Sequence, residues 1–205
     1  MVNSIKLDCW SGIKLPHIQV QQIWAIVEES FPPEERDPAQ VFLYSIENGK
    51  STLYTASWQK KIIGFTKLTC LTDSSIYLME YLAVDRHFRN YGVGSALLNF
   101  VRQELHAQPN AGIILEVEPP SAAKAAERQL RVRRIRFYQR HGAALILDQN
   151  AYRMPNLTGE GSVWMHLMWL PVQQGCQPPP DLSLGGLFKL IYSQIYPGEK
   201  YHGLL

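Results

Sequence analysis

The sequence predicts a mixed α/β fold, with a mostly antiparallel central sheet, a parallel central strand pair and flanking helices. Three observations carry this. Two β-rich runs, STLYTASW and IIGFTKLTC, are separated only by Gln59, Lys60 and Lys61, which predicts a hairpin. From residue 75 onward, strand and helix patterns alternate, so one right-handed crossover joins parallel neighbours at the centre. Helical stripes of apolar residues then flank these strands.

In chain order, HIQVQQIWAIVEESF places Ile23, Trp24, Val27 and Phe31 on one helical stripe. FPPEERD breaks that helix. A second helix then starts with Asp37 as its cap, Pro38 as its first residue and Gln40 closing a capping box. After the hairpin, SIYLMEYLAV is a strand with Leu78, Glu80, Leu82 and Val84 on one face and Met79, Tyr81 and Ala83 on the other. Leu97, Leu98, Val101 and Leu105 form the next helical stripe. AGIILEVE is a strand rich in branched residues, and SAAKAAERQLRVRRIRFYQRHG a long helix stopped at Gly142. AALIL and SVWMHLMWL are the last strands. VQQGCQPPPD reads as a linker. It leads to LSLGGLFKLIYSQIY, where Leu184, Leu187, Phe188, Ile191 and Ile195 share a helical face. The expected division is a domain over 1–172 and, over 173–205, a linker and helix packed on or extending it. A lid or a homodimer contact is the alternative use of that helix.

The totals exclude several classes. A length of 205 residues with 46% apolar content suits one packed domain with some elaboration. A net charge of +2 gives no electrostatic argument for a nucleic-acid or membrane partner. Cys9, Cys70 and Cys176 are scattered, without metal-ligand spacing, so neither zinc nor a disulfide framework is expected, which suits a reducing cytoplasm. MVNSIKLDCWSG lacks the basic flank and apolar core of a signal peptide. VWMHLMWLPV contains His166 and is too short to span a bilayer.

The stretch YLAVDRHFRNYGVGSALL, residues 81–98, reads as strand, glycine loop and helix start. Gly92-Val93-Gly94 lacks the third glycine of a dinucleotide fingerprint, and Gly94 is followed by Ser95 rather than the lysine of a Walker loop. Arg89-Asn90-Tyr91-Gly92-Val93-Gly94 fits a third pattern, Arg/Gln-x-x-Gly-x-Gly/Ala. Small residues let main chain approach an anion. Successive N–H groups form a nest, and the helix behind presents its positive end. The bland reading is a turn that caps a helix.

With LEVE as the next strand and RRIRFYQRHGA after it, this stretch resembles the GNAT superfamily of acyl-CoA-dependent N-acyltransferases over roughly residues 17–170. The resemblance implies a GNAT-like sheet. It also implies transfer of an acyl group, expected to be acetyl, from acetyl-CoA to a primary amine, by direct attack through a tetrahedral intermediate. Arg89, Asn90, Tyr91, Gly92, Val93, Gly94 and Ser95 would hold the coenzyme pyrophosphate. Leu82 and Val84 would meet the pantetheine arm through main-chain atoms, with a backbone N–H near Val84 as the oxyanion donor. Tyr138 would give a proton to the departing thiolate; its bland alternative is an aromatic packed in the core. Glu116 is the first candidate for the base and Glu80 the second. Either is otherwise a structural carboxylate or a binder of the substrate ammonium, and a water chain can replace direct contact. Glu118 belongs at the strand's edge.

The chain also departs from the family pattern. EPPSAAKAAERQLRVRR has no Asn where many members have one that touches the coenzyme. Arg131, Arg133, Arg134, Arg136 and Arg140 either line a solvated helix face or replace that contact. Glu34, Glu35 and Asp37 lie where the family shapes its acceptor pocket and would attract a cationic amine, although Asp37 already has work as a cap. The acceptor is a small-molecule or peptide amine of open identity. The alternatives are a non-catalytic acyl-CoA-binding or regulatory module of the same fold, and an unrelated nucleotide-binding protein.

Overall fold

A computed structural model of the chain describes residues 5–71, 75–178 and 183–198. Residues 1–4 of the amino-terminal stretch and 179–181 of the predicted linker lie outside the described residues. The elements run β1 (Lys6–Trp10), α1 (His17–Ser30), α2 (Ala39–Glu47), β2 (Ser51–Trp58), β3 (Lys61–Cys70), β4 (Ile76–Val84), α3 (Val93–Leu105), β5 (Gly112–Val117), α4 (Ala125–Arg140), β6 (Ala144–Pro155), β7 (Ser162–Pro171) and α5 (Leu184–Ile195). The strands follow the order β1-β2-β3-β4-β5-β7-β6 in one open, mostly antiparallel sheet, and β4-β5 is its parallel pair. The predicted mixed α/β class with a parallel central pair is the observed one. No helix among the described residues is long and apolar enough to cross a membrane.

The chain forms two compact units. The first takes the described residues up to Thr69, with Met79–Leu105 and Leu157–Gly159. Its core joins Ile23, Ile26 and Val27 of α1, Phe42 and Ile46 of α2, and Leu53, Ile62, Phe65, Tyr81 and Ala83 of the strands. Each fully buried large apolar side chain contributes about 1.5–3 kcal/mol of transfer free energy. Aromatic edges interlock inside it, with Phe31 and Phe42 at 5.0 and 5.3 Å from the Tyr81 ring. The β2–β3 hairpin turns on Gln59 and Lys60, both at positive φ (49° and 66°), the backbone that a tight two-residue turn needs.

Two features of this unit depart from expectation. The sequence predicts no strand over residues 6–10, yet β1 pairs antiparallel with β2, and the Trp10 indole donates to Thr55 at 3.0 Å. A five-residue edge strand carries too little pattern to show by itself. The predicted capping box is absent. Pro38 takes the cap position of α2 with no side-chain cap, and the Phe42 N–H bonds directly to the Pro38 carbonyl at 3.1 Å. Asp37 is engaged elsewhere, as described below.

The second unit takes Cys70–Leu78, His106–Asn156 and the described residues from Glu160 on. In it β7 pairs antiparallel with both β5 and β6. Gly112 is there because Trp169 lies against it: a Cβ at this position would sit 1.9 Å from the indole ring. α4 ends as predicted, with Gly142 at φ 87° and its N–H on the Gln139 carbonyl. It starts later than predicted, after a 3-10 turn at Pro120–Ala122. α5 starts despite two glycines because the Ser183 side chain accepts from the Gly186 N–H at 3.1 Å. It buries Leu187, Phe188, Ile191 and Tyr192, whereas Leu184, placed on the same predicted face, is exposed.

Candidate active site

The glycine loop belongs to the first unit. β4 delivers Leu82 and Val84 half-buried, while the alternating Tyr81 and Ala83 enter the core. Asp85 then turns the chain by accepting from the His87 N–H at 2.9 Å and pairing with Lys61 at 2.7 Å. Burial by itself raises the Asp85 pKa, but Lys61 and the His87 N–H outweigh it and hold the carboxyl below its ordinary value. Arg89 closes the corner. Its Nε donates to the Val84 carbonyl at 2.9 Å, and its guanidinium pairs with Glu29 of α1 at 2.8 Å. The Arg89 side chain therefore braces the loop against α1.

Asn90 and Gly92 both have positive φ (67° and 82°), and residues 89–92 are exposed. Nothing lies within 4 Å of a Cβ placed on Gly92. The Ala96 N–H is bonded to the Gly92 carbonyl at 2.9 Å, which opens the helical ladder of α3. The N–H groups just before it thus precede the ladder at the helix's positive end. Val93 is buried as an anchor, while Gly94 and Ser95 are half-buried. Exposed main chain with two positive-φ residues just ahead of a helix start has the chemistry to receive an anion.

Glu80 lies in the same unit within a buried polar cluster. Lys67 is 2% exposed and pairs with Glu80 at 2.7 Å and with Asp37 at 3.9 Å. Its ammonium lies 5.2 Å from the Phe42 ring centre and 5.8 Å from that of Tyr81. Thr69 also donates to Glu80 at 2.5 Å. The Tyr81 hydroxyl donates to Asp37 at 3.2 Å and accepts from its N–H at 2.8 Å. Burial pushes the Asp37 carboxyl up, with Lys67 opposing, and pushes the Tyr81 phenol up further still. Glu80 and Tyr81, adjacent in sequence and expected on opposite faces, both reach Lys67. Glu34 and Glu35 form a 3-10 turn with Pro33, and the Glu34 carbonyl accepts from the Leu157 N–H at 2.9 Å.

Glu116 and Tyr138 belong to the second unit. Glu116, opposite Leu167 of β7, accepts the Tyr152 hydroxyl on Oε1 and the Tyr196 hydroxyl on Oε2 at 2.9 Å. Tyr138, on the last turn of α4, is 7% exposed and stacks edge-on with Phe137 at 5.3 Å. Its hydroxyl makes no hydrogen bond among the described residues, and none joins it to Glu116. Burial raises the Tyr138 pKa, with the Arg134 charge opposing. Glu118 is paired with Arg131, and with Arg134 at 3.3 Å. Arg131 also donates to the Pro119 carbonyl at 3.1 Å. These two arginines therefore tie α4 to the end of β5.

The first unit thus gathers the loop, Leu82, Val84 and Glu80, and the second gathers Glu116 and Tyr138. The residues that sequence reasoning missed are Lys67, Tyr152 and Tyr196. Lys67 carried a signal, a charge in the middle of the apolar strand IIGFTKLTC. The two tyrosines carried none.

Residues 49–142 match the family model of the acetyltransferase (GNAT) domain. Among solved structures, the chain is similar to a GNAT-family protein from Bacteroides thetaiotaomicron, with 25% identity and a TM-score of 0.69, over 96% of this chain and 100% of that one. The ribosomal-protein-S18-alanine N-acetyltransferase from Escherichia coli shares the fold at 20% identity and a TM-score of 0.56, over 87% and 99% of the two chains. So does an aminoglycoside 6'-N-acetyltransferase complexed with coenzyme A, at 16% identity and a TM-score of 0.61, over 86% and 99%. Direct sequence comparison with curated proteins gives no match. The family-model match over residues 49–142 takes in the glycine loop and Tyr138, and together with the fold shared with these acetyltransferases it supports the GNAT superfamily.

Proposed function

We propose that the protein is an acetyl-CoA-dependent N-acetyltransferase acting on a primary amine. The observation that carries this is the loop at Asn90–Gly92, with two positive-φ residues opening onto the start of α3 inside the matched family region. Acetyl-CoA supplies the thioester and the leaving thiolate. The chain supplies proton handling and charge stabilisation. Most of an amine is ammonium at neutral pH, so two protons must leave the nitrogen. Glu116 takes one, directly or through water, and returns it to solvent. A backbone N–H near Val84 faces the developing oxyanion. Tyr138 relays the other proton to the thiolate sulfur as the carbon–sulfur bond breaks. A buried phenol with a raised pKa stays protonated until a thiolate arrives, which suits this role.

Of the two candidate carboxylates, Glu116 remains the first choice. Glu80 is paired with the Lys67 ammonium at 2.7 Å and is already engaged as its counter-ion, whereas Glu116 is held by neutral phenols. Glu80 is then the charge partner that permits Lys67 to be buried. The acceptor is a small-molecule or peptide amine, attracted by Glu34, Glu35 and Asp37. Cys9, Cys70 and Cys176 form no disulfide among the described residues, which suits the reducing cytoplasm where we place the protein.

The test is release of free thiol from acetyl-CoA across a panel of kanamycin, spermidine, lysine and an alanine-ended peptide, with calorimetric binding of acetyl-CoA alongside. We expect binding, and thiol release with at least one amine. Gly94→Val should weaken acetyl-CoA binding without unfolding the chain, because a branched side chain then crowds the anion's approach. Binding without thiol release from any amine supports the non-catalytic module instead. Equal affinity for wild type and Gly94→Val reduces the loop to a turn.

A further inference from the structure

Glu116 is held from outside the matched family region. Tyr196, the residue that ends α5, lies 80 positions away and well beyond residues 49–142. Its hydroxyl reaches Oε2 of Glu116 at 2.9 Å, while the Tyr152 hydroxyl from β6 takes Oε1. Both phenols are themselves fixed. Tyr152 is fully buried, and its ring lies 5.1 Å from Phe188 and 6.4 Å from Tyr192 of α5. The Tyr192 ring lies 5.6 Å from Tyr196, and its hydroxyl donates to the Arg153 carbonyl of β6 at 2.6 Å. The Tyr196 N–H in turn bonds the Tyr192 carbonyl at 3.1 Å. An aromatic ladder from α5 and β6 thus ends on one carboxylate.

A helix that served only to cover apolar surface would need none of this. Ile191, Phe188 and Leu187 supply the burial. The hydroxyls add direction: a phenolic donor on each oxygen restrains the carboxylate's rotation. We propose that Tyr196 is a positioning residue that fixes and tunes Glu116, so that the carboxy-terminal helix is part of the catalytic apparatus rather than an appendage. This rests on the reading of Glu116 as the base.

Tyr196 acts with other polar groups. Tyr152 shares the carboxylate and Tyr192 packs on the Tyr196 ring. Further along the same strand, Val117 is opposite His166 of β7, and Glu118 is paired with Arg131 and Arg134. Removing one phenolic donor from a carboxylate disfavours its charged form, so its titration must move up. A packing residue would not have this effect.

The experiment labels glutamate carboxyls with carbon-13 in the full chain and follows their titration by NMR. The Glu116 signal is assigned by its loss in Glu116→Gln. Tyr196→Phe keeps the ring and removes the donor. We expect the Glu116 titration to move to higher pH by about half a unit or more. With acetyl-CoA and the best amine of the panel, we expect kcat to fall about tenfold, the acid limb of the rate profile to move the same way, and KM for acetyl-CoA to hold. In Glu116→Gln, the further change Tyr196→Phe should then cost nothing in rate. An unmoved Glu116 titration in Tyr196→Phe overturns the positioning role while leaving Glu116 as the base. A full rate in Glu116→Gln overturns the base itself, and the positioning role with it. Should Tyr196→Phe fail to fold, Tyr196→Trp keeps an aromatic at the ladder's end, and the same titration decides.

Discussion

Tyr138 is 7% exposed, and its hydroxyl makes no hydrogen bond among the described residues, so the fold itself makes no use of that oxygen. A packing role alone would be better served by phenylalanine, as in the neighbouring Phe137. The hydroxyl is therefore left for a ligand to use. Tyr138→Phe should lower kcat on the order of a hundredfold, with little change in acetyl-CoA affinity and equal or higher melting temperature. Parallel losses of stability and activity would mark the phenol as structural. Tyr138 stood out in the sequence because the motif around it is local, in FYQRHGA. Asp37 was misread for the opposite reason. Its sequence neighbours spell a capping box, but its partners are Tyr81 and Lys67, 44 and 30 positions away along the chain. A local rule loses to a long-range partner whenever burial makes that partner's charge expensive to leave alone.

The elements show the same division. α1, the β2–β3 hairpin, β4, α3 and α4 announce themselves through periodicity and turn chemistry. β1 exists because β2 offers an edge to pair with, which no window of five residues can reveal. Gly112 begins β5 where a branched residue would have been the natural choice, and only the structure gives the reason. The Trp169 indole, itself tied to the Cys176 carbonyl at 2.9 Å, fills the space where a side chain would stand. Gly112→Ala should therefore destabilise the protein by about 1–3 kcal/mol as the ring is forced aside. Chemical denaturation reads this as a lower midpoint at unchanged slope. Gly112→Ala with Trp169→Phe, which vacates part of the indole's space, should recover some of the loss. An alanine that costs nothing would show that the indole moves freely.

At the scale of the whole molecule, folding is coupled to pH by carboxylates whose shifts oppose one another. Asp85 and Asp37 both belong to the first unit, and an ordinary Asp has a pKa of about 3.9. The folded pKa of Asp85 is depressed, chiefly by Lys61 and the His87 N–H acting against burial. Its stabilisation is thus fully present above the unfolded value and is lost as pH falls through the folded one. Burial raises the folded pKa of Asp37 despite Lys67, so its contribution runs the other way. It is fully present below the unfolded value and is lost as pH rises through the folded one. Asparagine does not titrate, so each Asp→Asn variant isolates one term. Asp85→Asn should melt below wild type at pH 7, and the gap should close below about pH 3.9. Asp37→Asn, which keeps an acceptor for the Tyr81 hydroxyl, should melt at or above wild type at pH 7 and lose that advantage on acidification. Calorimetric melting across the range from neutral to acid checks both signs together. Gaps that both widen at neutral pH in the same direction would mean that Lys67 already holds Asp37 fully ionised. The cluster of Lys67, Glu80 and Asp37 would then be a settled ion network rather than a strained one. The strained state is the one expected, because two carboxylates share a single buried ammonium there, and the second is always under-compensated unless a further cation, such as an acceptor's ammonium, arrives.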